Sequence, residues 1–190
     1  EQSTQEALVK TEQKGFIGEV YTLADDSGSM CSDNKLSQLR DGITSFASES
    51  IAQGYAVGLI KFGDEATHLF SPKTEVDKTF ISILNKLDAS SGGTEMIPAL
   101  KSALGYFRNS RLKKTILLVT DGQPTDMGGK EAVIEAALEL KRAGIKILTI
   151  GCGNADEAFL KRLASDNMGE LVANQDLKLG MRRMAGLLSS

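Results

Sequence analysis

Tryptophan is absent from this sequence, histidine occurs once, cysteine twice and proline three times. Two cysteines, Cys31 and Cys152, are too few for the disulfide framework of a small secreted domain, so both are expected to be free thiols in a reducing compartment. With 41% hydrophobic and 25% charged residues, the scarcity of proline also excludes collagen-like and disordered classes. A net charge of -3, with the basic pairs Lys113-Lys114 and Arg182-Arg183 isolated, gives no electrostatic footprint for a phosphate backbone. Nucleic acid is therefore not an expected partner. No apolar run approaches the roughly 20 residues that span a bilayer. The opening EQSTQEALVK has neither the basic nor the apolar region of a signal peptide. A cytoplasmic location is the expectation. Because the sequence starts without Met, it is expected to be processed, or to belong to a larger chain or multiprotein complex.

What is present is enough chain for one sizeable core. A domain of 190 residues buries roughly 70% of its unfolded surface. Residues 1–15 are polar and aperiodic and are expected to form a tail or linker, leaving 16–190 as a single domain. From Gly18 onward, strand-like runs alternate with helix-like ones. EVYTLAD precedes a helix over 34–53, YAVGLIKF precedes a short THLFSP and a helix over 75–87, and a helix at 96–108 precedes TILLVTD. A helix over 129–143, KILTIG, a short helix at 156–165, ELVAN and a last helix from 176 complete the series.

The spacing of Leu36, Leu39, Ile43 and Phe46, and of Ile97, Leu100, Leu104 and Phe107, gives each of two helices one apolar stripe. TILLVT and KILTIG are continuously apolar, as strands covered on both faces should be. Only GDEA separates YAVGLIKF from THLFSP, which implies a hairpin and a short antiparallel edge strand. The expected fold is α/β: a Rossmann-like, doubly wound, mainly parallel six-stranded sheet in the order 3-2-1-4-5-6, with helices on both faces. The six methionines are expected to fill the core.

Chemistry gathers at strand ends. The first strand runs into Asp25-Asp26-Ser27-Gly28-Ser29, and the strand TILLVT ends at Asp121-Gly122. In the expected strand order these carboxyl ends flank the switch-point crevice, so Asp25 and Asp121 would face each other. The small-residue loop Ser90-Ser91-Gly92-Gly93-Thr94 can bring a hydroxyl to the same place. Each of these residues, taken singly, also suits a turn or a helix cap. Jointly they form a set of carboxylate and hydroxyl oxygens, without nitrogen or sulfur, that suits a hard cation. Magnesium, for example, takes six oxygens at roughly 2.0 to 2.1 Å.

Asp-x-Ser-x-Ser, then a Thr after a small-residue loop, then Asp-Gly, resembles the metal-ion-dependent adhesion site of the von Willebrand factor A family over about residues 16–188. The stretches ASSGGTEM and TDGQPTD look closer to bacterial intracellular members of the tellurium-resistance-associated type. The resemblance implies that Ser27, Ser29 and Thr94 contact a Mg2+ ion directly, with Mn2+ or Ca2+ as substitutes. Asp25 and Asp121 would act through water or alternate with direct contact. It further implies recognition rather than catalysis, with an Asp or Glu of a protein partner taken by the metal near Gly28, Gly93, Glu95 and Gly122. Asp26 and Glu95 add negative charge that the motif does not require, and are expected to face water or, alternatively, to tune affinity.

Two other readings remain at this point. One is metal-assisted hydrolysis or phosphoryl transfer on a Rossmann-like sheet, with Asp25 as nucleophile or base. Against it, GxSxG, GxGxxG and GxxxxGK[ST] are all missing, position 27 is Ser where a dehalogenase-like pattern needs Asp, and His68 sits in the predicted edge strand. The other is a scaffold whose metal only rigidifies three loops.

Overall fold

The computed structural model describes residues 15–108 and 110–190. The tail or linker expected over 1–15 lies outside the described residues, apart from Gly15. Six strands form one sheet: β1 (Gly18–Asp25), β2 (Tyr55–Phe62), β3 (Ala66–Lys73), β4 (Lys113–Thr120), β5 (Ile145–Gly151) and β6 (Gly169–Leu171). Their spatial order is β3-β2-β1-β4-β5-β6, parallel throughout except for β2 against β3. The doubly wound fold expected from the alternation of runs is thus the observed one. The edge strand is longer than THLFSP suggested. Its eight residues follow β2 back along its length, with register irregularities at Leu59.

Alternation along the strands divides the interior in two. Val20, Val57, Leu59, Leu117, Val119, Leu148 and Ile150 project to one face, where they meet α1 (Lys35–Ala52), α2 (Lys78–Leu84) and α6 (Leu177–Met184). Tyr21, Leu23, Ile60, Ile116, Leu118 and Ile147 project to the other, under α3 (Met96–Phe107), α4 (Gly129–Arg142) and α5 (Glu157–Leu163). A central strand covered on both sides cannot alternate polar with apolar, which is why TILLVT reads as an unbroken apolar run. The predicted stripes are confirmed, with Leu39, Ile43, Phe46, Leu100 and Phe107 buried.

Helix ends follow local chemistry. Asp77 and Asp156 cap α2 and α5 through their carboxylates, accepting from the backbone N–H of Phe80 and Phe159. Gly54 and Gly144, at φ +88° and +83°, turn the chain out of α1 and α4 into the next strand. The methionine expectation needs one correction. Met30, Met96, Met181 and Met184 are buried and Met168 packs against the core, but Met127 is 95% exposed on the loop between β4 and α4. Among the described residues, no helix is long and apolar enough to cross a membrane.

Candidate functional site

The crevice lies where the chain leaves β1 and β4, neighbouring parallel strands whose pairing ends at Ala24 against Val119. One residue further on, the Thr120 hydroxyl donates to Asp25 Oδ2 at 2.7 Å, and the Ser27 backbone N–H donates to Oδ1 at 2.8 Å. A short 3-10 turn over Gly28–Cys31 then swings Ser29 toward β4. Its hydroxyl donates to Asp121 Oδ1 at 2.8 Å and lies 3.1 Å from the Ser27 hydroxyl. Asp25, Ser27, Ser29 and Asp121 therefore form a single hydrogen-bonded line across the gap between two strands. Both carboxylates are buried, while Gly28 and Ser29 are exposed.

The loop that carries Thr94 is tied beside this cluster by its backbone, on one side by Gly28 N–H to Ser91 O at 2.8 Å, and on the other by Thr125 N–H to Thr94 O at 3.1 Å. The Thr94 N–H donates to the Thr125 hydroxyl at 2.8 Å. Thr94 itself is buried. An added Cβ at Gly122 would meet nothing within 4 Å, so the space beside Gly122 is open.

The electrostatics are those of a crowded acidic corner. Burial, followed at a distance by the neighbouring charge of Asp121, raises the Asp25 carboxyl above its ordinary value against the pull of the Ser27 and Thr120 hydrogen bonds. Lys35, at the start of α1 and 6% exposed, places its ammonium 2.5 Å from Asp121 Oδ2. No three His, Cys, Asp or Glu side chains converge as a metal cluster among the described residues. The crevice offers two acids and several hydroxyls, which is a hard-oxygen set rather than a nitrogen or sulfur one.

Comparison with known proteins adds the family. The family model for the von Willebrand factor type A domain matches residues 19–181. The chain belongs to this family. Curated relatives include human matrilin-1 (25% identical over 61% of this chain and 24% of that protein) and bovine calcium-activated chloride channel regulator 1 (28% over 90% and 18%). Mouse collagen alpha-4(VI) chain is similar at 27% identity over 88% of this chain and 7% of that one. The chain thus spans a quarter or less of the length of these relatives.

Among solved structures, the vWF domain of the type V pili tip protein Mfa5 from Porphyromonas gingivalis superposes with a TM-score of 0.78 at 15% identity, covering 92% of this chain and 95% of that one. Proximal thread matrix protein 1 from the mussel byssus, solved with a zinc-occupied MIDAS motif, superposes at 0.72 and 22% identity over 90% of this chain and 46% of that one. At these identities the likeness shows the fold alone.

In this A domain, Asp26 departs from expectation. It is 2% exposed rather than facing water. Its Oδ1 accepts from the N–H groups of Asp88 and Ala89, both at 2.9 Å, and its Oδ2 pairs with Lys61 Nζ at 3.0 Å. A carboxylate taken out of water requires such partners, and here they hold the loop that delivers Thr94. Glu95 is half-buried and accepts from the Thr125 hydroxyl at 3.2 Å.

Several residues that support the site were missed in the sequence. Asp126 accepts from the N–H groups of Met96 and Ile97, both at 2.8 Å, and so caps α3 from a different loop. Thr120, Thr125 and Lys35 complete the set. The second Asp of DGQPTD was a visible signal for Asp126; for Lys35 nothing local marks it. His68 lies in the edge strand β3, within hydrogen-bond distance of the Tyr21 hydroxyl at 3.1 Å and stacked on Tyr106 with ring centroids 3.8 Å apart.

Two tests follow from this geometry. A Cβ at Gly63 would lie 1.9 Å from the Ser91 Oγ and 2.1 Å from its Cβ. Gly63→Ala is therefore expected to push Ser91 off its hydrogen bond to Asp64 N and to lower stability by about 1 to 3 kcal/mol, read by thermal melting. The second concerns the thiols. Burial pushes the Cys152 thiol up to about 12, whereas Cys31 is exposed. Ellman titration of the native protein at neutral pH should label Cys31 promptly and Cys152 only after unfolding. Rapid labelling of both in the native state would show that the surroundings of Cys152 open to solvent.

Proposed function

We propose that this domain holds a divalent cation, Mg2+ with Mn2+ or Ca2+ as substitutes, among Asp25, Ser27, Ser29, Thr94 and Asp121, and uses it to capture an Asp or Glu side chain of a protein partner. The observation that carries this reading is the hydrogen-bonded line from Asp25 to Asp121. It gathers two acids and two hydroxyls from strands far apart in sequence, with its exposed end at Gly28 and Ser29. The residues fit a hard cation. All donors are oxygen, and the Thr94 backbone is tied in place by Thr125 on both its N–H and its carbonyl. Such a cation, when bound, supplies a positive centre that accepts an incoming carboxylate.

The chain's own residues do the rest. Gly28 and Gly122 keep the approach free of side chains, Gly93 is packed against Asp64 and Thr125, Glu95 lies next to Thr94, and Asp26 and Asp126 hold the Thr94 loop. Domains of this family mediate protein–protein interaction and adhesion, and relatives such as matrilin-1 and collagen alpha-4(VI) chain support a binding module over an enzyme. The zinc-occupied motif in the mussel protein supports divalent binding at this corner of the fold.

The test uses the domain immobilised on resin. Partner proteins of the native cell are expected to be retained in Mg2+, released by chelator, and not retained by an Asp25→Ala, Ser27→Ala double variant. Capture that neither chelator nor the double variant reduces would sink this reading. Magnesium-dependent turnover of phosphate or ester substrates, lost in the same variant, would replace it with the enzymatic one.

A further inference from the structure

Among the described residues, Lys35 is a buried lysine. It stands, with 6% exposure, at the first position of α1, where the helix dipole is positive and a cation is disfavoured. It does not serve the helix in that position. It serves Asp121, whose Oδ2 it meets at 2.5 Å while Ser29 occupies Oδ1. Both oxygens of one acid of the crevice are therefore already engaged by the protein. The other acid of the crevice, Asp25, is matched by no basic side chain among the described residues, while the neighbouring Asp26 is matched by Lys61.

We propose that Lys35 is a charge-setting residue of this site: it neutralises Asp121 so that a cation held in the crevice is bound loosely and keeps an excess positive charge for an incoming acid. The inference rests on the metal-site reading above and deepens it. With Asp25 and Asp121 ionised and Lys35 in place, a dication leaves the centre with one net positive charge. Without Lys35, the two acids balance the dication and the centre is neutral. Removing the ammonium also removes a like charge from the neighbourhood of the metal. The two consequences have opposite signs, with metal binding strengthening and carboxylate binding weakening. A lysine that served only to hold α1 in place would, when replaced, weaken both.

The experiment compares wild type with Lys35→Met, which keeps the apolar stem and drops the charge. Mn2+ is titrated by calorimetry, and carboxylate access is read from the relaxation enhancement of acetate by the Mn2+-loaded protein, with circular dichroism as a check on folding. The expected result is Mn2+ binding about ten- to a hundredfold tighter and acetate binding about tenfold weaker. Lys35→Gln, which keeps a hydrogen bond to Asp121 without the charge, should move both readouts the same way and covers the case in which Lys35→Met does not fold. Unchanged or weaker Mn2+ binding in a folded variant whose wild type binds Mn2+ would overturn the role of Lys35 alone. Absence of Mn2+ binding in wild type and variants would overturn the metal site together with it.

Discussion

In chelator, Asp25→Asn should melt at or above the wild type at neutral pH; in saturating Mg2+ it should gain nothing, while the wild type rises by about 5 to 10 °C. The first half follows from burial. Asp25 is fully buried, and its carboxyl is raised from 3.8 chiefly by desolvation and further by the charge of Asp121. An asparagine can keep both contacts, its oxygen accepting from Ser27 N–H and its amide donating to the Thr120 hydroxyl, without a buried charge.

A carboxyl raised on folding stabilises the fold fully below its unfolded value, and that contribution disappears as pH rises through the folded value. Wild type and Asp25→Asn should therefore melt together in acid, and the variant should pull ahead as pH climbs from the ordinary carboxyl value to the raised one, keeping its lead above it. The second half is linkage. A ligand at about a hundred times its Kd stabilises by about 2.7 kcal/mol. In a domain of this size that corresponds to roughly 2 to 4 °C per kcal/mol. A variant several kcal/mol less stable than wild type in chelator at neutral pH would mean that the hydrogen bonds outweigh the buried charge, and would refute this account.

The other large effect is expected at Asp26, outside the five residues of the proposed site. Asp26→Ala should lower stability by about 3 to 5 kcal/mol, because it strips three partners from a buried carboxylate site. Two of these are backbone donors on a loop that passes through Ala89 at φ +55°. A non-glycine residue there is strained by on the order of 1 kcal/mol and stays only where its surroundings hold it. Without Asp26, the segment from Asp88 to Gly93 should lose amide-exchange protection well beyond the rest of the domain, and Thr94 should lose its fixed approach to the crevice. The melting temperature should fall by about 10 °C. A melt indistinguishable from wild type, with exchange unchanged at Ala89, would show that Gly28 N–H to Ser91 O and Thr125 N–H to Thr94 O hold the loop by themselves.

These residues also show how far the site could be read in advance. Asp25, Ser27, Ser29 and Asp121 were named from strand ends and spacing, and they do converge. Asp26 was assigned to solvent because a charged residue at a motif's variable position is more often solvated than buried. Its three partners lie 35 to 63 residues away, on β2 and on the loop after α2, so no nearby pattern announces them. Met127 erred in the other direction, an apolar residue in a short loop with no helical or strand spacing to reveal its exposure.

By itself the sequence determined the elements, the apolar faces and the strand ends where chemistry collects. Those are local properties, because a period of two or of 3.6 residues states which side of a segment is buried whatever it meets. Which side chains meet was decided only by tertiary structure. Lys35 finds Asp121 across 86 residues, Thr120 finds Asp25 across 95, and Asp126 caps a helix that begins 30 residues before it. Such pairings depend on which strands lie side by side and on how each loop turns at the sheet edge. The local pattern shows that a charge must be satisfied, while only the packed sheet supplies the partner.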